Sequence, residues 1–87
     1  MKLAFAVSLF LAAGGAFARA DCPKYPKGEW MSEGEAKAKI EAMGYKIDKF
    51  KIDGNCYEIY GLNKEGKKAE VYFDAKTLNV IKAEIRK

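Results

Sequence analysis

Read only for apolar and polar positions, the chain falls into four stretches. An apolar run broken only by Ser8, LAFAVSLFLAA at 3–13, opens it. DCPKYPKGE at 21–29 holds both prolines and has no apolar period, which predicts an irregular segment. WMSEGEAKAKIEAMGY at 30–45 then takes up a helical period. Ala36, Ile40 and Met43 fall at i, i+4 and i+7 on one face, with Lys37, Lys39 and Glu41 turned outward. Ser32 followed by Glu35 reads as a capping box, and Gly44 lies just past the last turn. Trp30 and Met31 are expected to pack over the first turn.

From Tyr45 onward the period is two. Tyr45 and Ile47 share one phase and Phe50 and Ile52 the other, so one residue near Asp48 and Lys49 must be extra, as in a β-bulge. DGN at 53–55 predicts a tight hairpin, with either Asp53-Gly54 or Gly54-Asn55 as its loop. CYEIYGLN leads into KEG at 64–66, a three-residue loop with Gly66 at the left-handed position. Pairing across it sets Asn63 against Lys67, Ile59 against Val71 and Tyr57 against Phe73, and these apolar matches agree with one another. DAKTLN makes a further turn into VIKAEIRK, where Ile81, Ala83 and Ile85 are expected to point inward. The predicted fold is α+β: one N-terminal helix packed on a four-stranded antiparallel β-meander, with an irregular N-terminal arm.

The opening run changes how the rest is read. Met1-Lys2, the apolar stretch and Ala18-x-Ala20 have the form of a secretory signal peptide, with cleavage expected between Ala20 and Asp21. The run is too short to span a bilayer, and Gly14, Gly15 and Arg19 interrupt it, so no stable membrane insertion is expected after cleavage. The expected layout is a signal peptide at 1–20, an arm at 21–31 and a domain at 32–87. Of the 16 Lys and Arg, Lys2 and Arg19 lie in the leader, leaving 14 against 12 Asp and Glu. That small, interspersed excess does not suggest a nucleic-acid partner.

Cys22 and Cys56 are the only cysteines, and the chain has no His. In an oxidising compartment one connectivity exists, Cys22 to Cys56, with a free thiol as the alternative. The residues before Cys22 do not form a lipidation site, the pair is not C-x-x-C, and zinc would need four N or S ligands. Closing a loop of about 35 residues stabilises a chain by roughly 4 kcal/mol in the chain-entropy account.

No nucleophile-base pair is visible, so no catalytic residues, metal ligands or cofactor are expected. Ser32 reads as a cap and Thr77 as a turn residue, and neither DKFKIDGN nor NKEGKK has EF-hand spacing. The register instead turns Glu58, Tyr60, Leu62, Glu70, Tyr72, Lys82 and Glu84 to the sheet face away from the helix. Tyr60, Tyr72, Leu62, Glu58 and Glu70 form the candidate partner-binding set, because tyrosines on an open sheet offer large contact area at low entropic cost. Cross-strand aromatics that only stabilise the sheet are the alternative. Cys56 shares this outward parity, so the disulfide should draw the arm, with Tyr25, around an edge and over part of that face.

The chain resembles the PepSY domain family. The resemblance rests on W-x-S-x-x-E-A at 30–36, G-Y-x-I at 44–47, C-Y-E-I at 56–59 and G-K-x-x-E-V-x-x-D-x-x-T-x-x-V at 66–80. It covers nearly all of the chain beyond the leader and is nearest to small, exported, single-domain members from Gram-negative bacteria. These are cap, turn and core positions, so they imply the fold more than any chemistry. The resemblance implies a periplasmic or secreted, non-catalytic module that binds an envelope or secreted protein, with peptidase restraint as the family's proposed role. Leu78 departs from the family pattern, which has Gly there, so Asn79 is expected to take the left-handed position. Two functional readings remain: a protein-binding module, and a periplasmic small-ligand or cation carrier using Glu58, Glu70 and Glu84 or a pocket between helix and sheet. Oligomeric state is not legible.

Overall fold

The computed structural model describes residues 20–86, so the expected signal peptide, Ala20 apart, lies outside the described residues. A short 3-10 turn at Lys27–Glu29 precedes helix α1 at Glu33–Ala42. Strands β1 (Lys46–Asp53), β2 (Cys56–Leu62), β3 (Lys68–Asp74) and β4 (Val80–Ile85) follow. They form one antiparallel sheet in the order β1-β2-β3-β4.

Local chemistry accounts for these boundaries. The Ser32 hydroxyl accepts the Glu35 amide at 3.2 Å and caps α1, while Gly44 leaves the helix at φ 105°. The β1–β2 register slips between Ile47 and Lys49, so Asp48 is the extra residue of the expected bulge. Asp53 pairs with Cys56, which makes Gly54-Asn55 the hairpin loop, with Gly54 at φ 62°. Across β2 and β3, Ile59 meets Val71 and Tyr57 meets Phe73, as the apolar pattern predicts. Gly61 is obligatory for a packing reason: a Cβ there would run into the Lys46 carbonyl beside the bulge.

Ala36 and Ile40 of α1 pack against Tyr57, Ile59, Ala69, Val71 and Phe73 of the two central strands, with Ala75 and Leu78 closing one end. Trp30, Met31, Tyr45, Ile47 and Phe50 border this core. Trp30 meets Tyr57 edge-on at 5.3 Å between ring centroids, and the Tyr57 hydroxyl donates to the Met31 carbonyl.

Three inward expectations fail. Met43 is 41% exposed, because α1 ends at Ala42 and Met43 serves as its C-cap. Ile52 lies exposed near the end of edge strand β1. Ile81, Ala83 and Ile85 are also exposed, and β4 contributes nothing to the core. A helix about 10 Å across cannot cover four strands set about 4.8 Å apart, so one edge is left bare.

The last turn also differs from expectation. Leu78 itself takes the left-handed conformation, at φ 65°, and Asn79 does not. Its side chain is 3% exposed, so core burial offsets a backbone cost of about 1–2 kcal/mol. The Leu78 amide donates to the Asp74 carbonyl at 2.8 Å, and the Asp74 amide donates to the Asn79 carbonyl at 2.8 Å.

Candidate functional site

The disulfide Cys22–Cys56 is formed, with its Cα atoms 5.4 Å apart. It fixes the arm on the sheet face opposite α1. From there the Tyr25 hydroxyl donates to Asp74 Oδ2 at 2.9 Å, and the Trp30 indole N–H donates to the Tyr25 carbonyl at 3.1 Å. The Met31 amide then bonds the Ala75 carbonyl at 2.9 Å. The arm therefore crosses from the outer face to the helix side over the end of β3, not around an edge strand.

Asp74 anchors that crossing. Burial alone would raise its carboxyl, but the Thr77 and Lys76 amides and the Tyr25 hydroxyl overcome this and hold it below the ordinary aspartate range.

Beyond the arm lies the face on which the sequence placed the candidate residues. Tyr60 pairs with Glu70 and Glu58 with Tyr72, so the tyrosines stand diagonally across β2 and β3 as expected. Their exposure is less uniform than an open sheet implies. Tyr60 is 37% exposed, Leu62, Glu70 and Tyr72 are half-buried, and Glu58 is only 1% exposed. Glu58 is therefore not a surface contact residue. It lies two residues from the stapled Cys56 on the same face, between the arm's attachment and the tyrosines.

The electrostatics follow from that enclosure. Burial, and then the neighbouring Glu70 carboxyl, push Glu58 up to about 7. Glu70 is lowered in turn, first by its hydrogen bond with Glu58 and then by Tyr72, whose hydroxyl donates to Glu70 Oε2 at 2.8 Å. One proton is thus held mainly on Glu58 while Glu70 stays ionised. The Glu70 hydrogen bond pushes Tyr60 up to about 12, so Tyr60 remains a neutral phenol. Among the described residues, no donor from another group reaches the buried Glu58 Oε2, so its hydrogen bond with Glu70 depends on the proton that the pair shares.

Lys49 and Lys51 of β1 lie 6.0 and 5.8 Å from the Tyr60 ring centroid, which frames the exposed tyrosine with cations. Tyr60 also borders a cleft of about 360 Å³ lined by Asp48, Tyr60, Gly61, Lys68, Ala69, Glu70 and Arg86. Asp48, Lys68 and Arg86 were missed as site residues. The bulge signalled Asp48, and β3 parity put Lys68 beside Glu70, but only the folded register brings Arg86 across from Lys68.

Among the described residues, no group of three or more His, Cys, Asp or Glu could hold a metal. Glu58, Glu70 and Glu84 therefore do not make the cation site the sequence left open. No helix among the described residues is long and apolar enough to cross a membrane.

The site thus lies on a helix-on-meander domain, as a tyrosine-carboxylate surface on the sheet face away from the helix. Residues 2–84 match the family described as "Peptidase propeptide and YPEB domain", and the chain belongs to this PepSY family. No curated protein and no solved structure matches it. Family membership makes it a non-catalytic module, of a kind typically found outside the cytoplasm and associated with peptidases.

Proposed function

We propose that this is an exported protein-binding module that restrains a secreted or envelope peptidase by occupying part of its surface. The observation that carries the reading is the exposed Tyr60, framed by Lys49 and Lys51 on a sheet face that the arm leaves uncovered. Tyr60 and Leu62 supply apolar contact, and Lys68, Glu70 and Arg86 supply a polar rim. Glu58 and Tyr72 hold Glu70 in its ionised form from beneath. Cleavage between Ala20 and Asp21 would deliver the domain to the periplasm or medium with Cys22 free to pair.

The test is titration of extracytoplasmic peptidases with the oxidised chain, beside a Tyr60→Ala/Leu62→Ala variant whose fold is checked by circular dichroism. Saturable inhibition by the wild type, weakened about tenfold or more in the variant, is expected. Equal inhibition by both, or none by either, would remove the outer face from the account.

The cleft gives a second reading specific support. Its mixed lining of Asp48, Glu70, Lys68 and Arg86 suits a small zwitterion such as a free amino acid. Isotope-edited NMR titration with amino acids separates the two: saturable shifts confined to these residues favour the small ligand.

A further inference from the structure

The sheet has two edges, and each carries a bulge: Asp48 on β1, and Ile81 on β4, where the register to β3 slips from Tyr72–Lys82 to Phe73–Val80. On β1, Lys46, Lys49 and Lys51 and the bulge at Asp48 interrupt the edge, as expected of one guarded against pairing. On β4, Val80 is 48%, Ile81 37% and Ile85 46% exposed, Ala83 is exposed, and the charges within the strand are Lys82 and Glu84. The Arg86 amide donates to the Lys68 carbonyl at 2.8 Å. Antiparallel alternation then directs the backbone groups of Glu84 and Lys82 to β3 and those of Ala83 and Ile85 to the open edge.

We propose that β4 pairs edge to edge with the β4 of a second copy of this chain, antiparallel about a two-fold axis at Ala83. The regular part of the strand, beyond the bulge at Ile81, is self-complementary in this register. Ala83 meets the second copy's Ala83 as a hydrogen-bonded pair, the kind its outward N–H and C=O require. On either side of the axis Ile85, which α1 leaves bare, comes opposite the second copy's bulge at Ile81, where the regular pairing ends.

Lys82 meets the second copy's Glu84, and the symmetry repeats the contact. These are the non-hydrogen-bonded pairs, in which side chains approach most closely. Lys82 Nζ already lies 3.4 Å from Glu84 Oε2 within one chain, so the dimer joins two such pairs into a ring of alternating charge. Shifting the register by one residue would set the charged and apolar sets against the wrong faces. The result is a continuous eight-stranded sheet with closed, isologous symmetry.

Sedimentation velocity of the oxidised chain over a concentration series tests the pairing, with circular dichroism confirming the fold of each variant. The wild type is expected to pass reversibly from monomer to dimer. Lys82→Glu and Glu84→Lys should each weaken the dimer about tenfold, because each sets like charges across the axis twice. Mixing the two variants restores opposite charges at both contacts and should restore the dimer as a heterodimer.

Hydrogen exchange supplies a readout that charge alone does not move. Protection of the Ala83 and Ile85 amides should rise with concentration, while that of the Lys82 and Glu84 amides should stay constant. A wild type that remains monomeric to about 1 mM overturns the proposal. So does a dimer that forms without protecting Ala83 and Ile85, or one unchanged by either charge reversal. Protection of those amides only when a foreign strand peptide is added would place that peptide at the edge and also overturn it.

Discussion

Replacing Glu58 with Gln should remove a pH dependence that the wild-type domain carries. Glu58 is 1% exposed and is pushed from 4.5 to about 7, chiefly by burial and secondly by Glu70. Because the folded state binds the proton more tightly than the unfolded one, this group contributes its full stability below about 4.5. The contribution is lost as the pH rises through about 7. At about 1.4 kcal/mol per pH unit, the loss between about pH 5 and pH 8 is on the order of 2–3 kcal/mol. Glu70 and Asp74 have the opposite sign: they are lowered, so their contributions disappear in stronger acid. The wild type should therefore be most stable in weak acid. Urea denaturation across the pH range, read by Tyr and Trp fluorescence, measures this. Glu58→Gln keeps a neutral donor beside Glu70 and should show no fall between about pH 5 and pH 8. A wild type equally stable at both pH values, or a variant that falls in parallel with it, would refute the reasoning.

Other positions give independent checks. At Leu78, the usual order of Ala above Gly should invert: Leu78→Gly should be about 1 kcal/mol more stable than Leu78→Ala, since only Gly relieves the left-handed backbone. Both should fall below wild type by denaturant titration, because each removes a buried Leu. Gly61→Ala should lower stability by on the order of 2–4 kcal/mol in the same assay, as its methyl meets the Lys46 carbonyl, and a neutral outcome would mean that β1 is displaced easily. Removing the staple with Cys22→Ser/Cys56→Ser should cost about 3–4 kcal/mol of thermal or urea stability and free Tyr25 from Asp74.

The fold was legible where a pattern had a single physical solution. Ser32 and Glu35 could only cap a helix, and the phase change between Ile47 and Phe50 required the bulge found at Asp48. The Ile59–Val71 and Tyr57–Phe73 pairs confirmed one another. What could not be read depended on how far one element reaches over another. Period two placed Ala83 and Ile85 on the helix side of the sheet, but not beyond the width of a ten-residue helix. Likewise, parity turned Glu58 outward, yet the fold closed over it.

Leu78 shows a third limit. Backbone preference argued for Asn79, but burial of a large side chain outweighed it, and propensity cannot weigh that contribution before the core is known. At the candidate site, Tyr60 and Glu70 were legible from register alone. The bulge and strand parity marked Asp48 and Lys68 without showing that they share a cleft, and Arg86 was not legible, because only the folded register brings it across from Lys68.

Site-specific photocrosslinking tests the central claim most directly. A crosslinker placed at Tyr60 on the outer face, compared with one at the exposed Glu41 of α1, reports which surface meets a partner in the living envelope. The account predicts a discrete adduct with an extracytoplasmic peptidase from position 60 and none from position 41. An adduct from position 41 alone, or none from position 60, would contradict it.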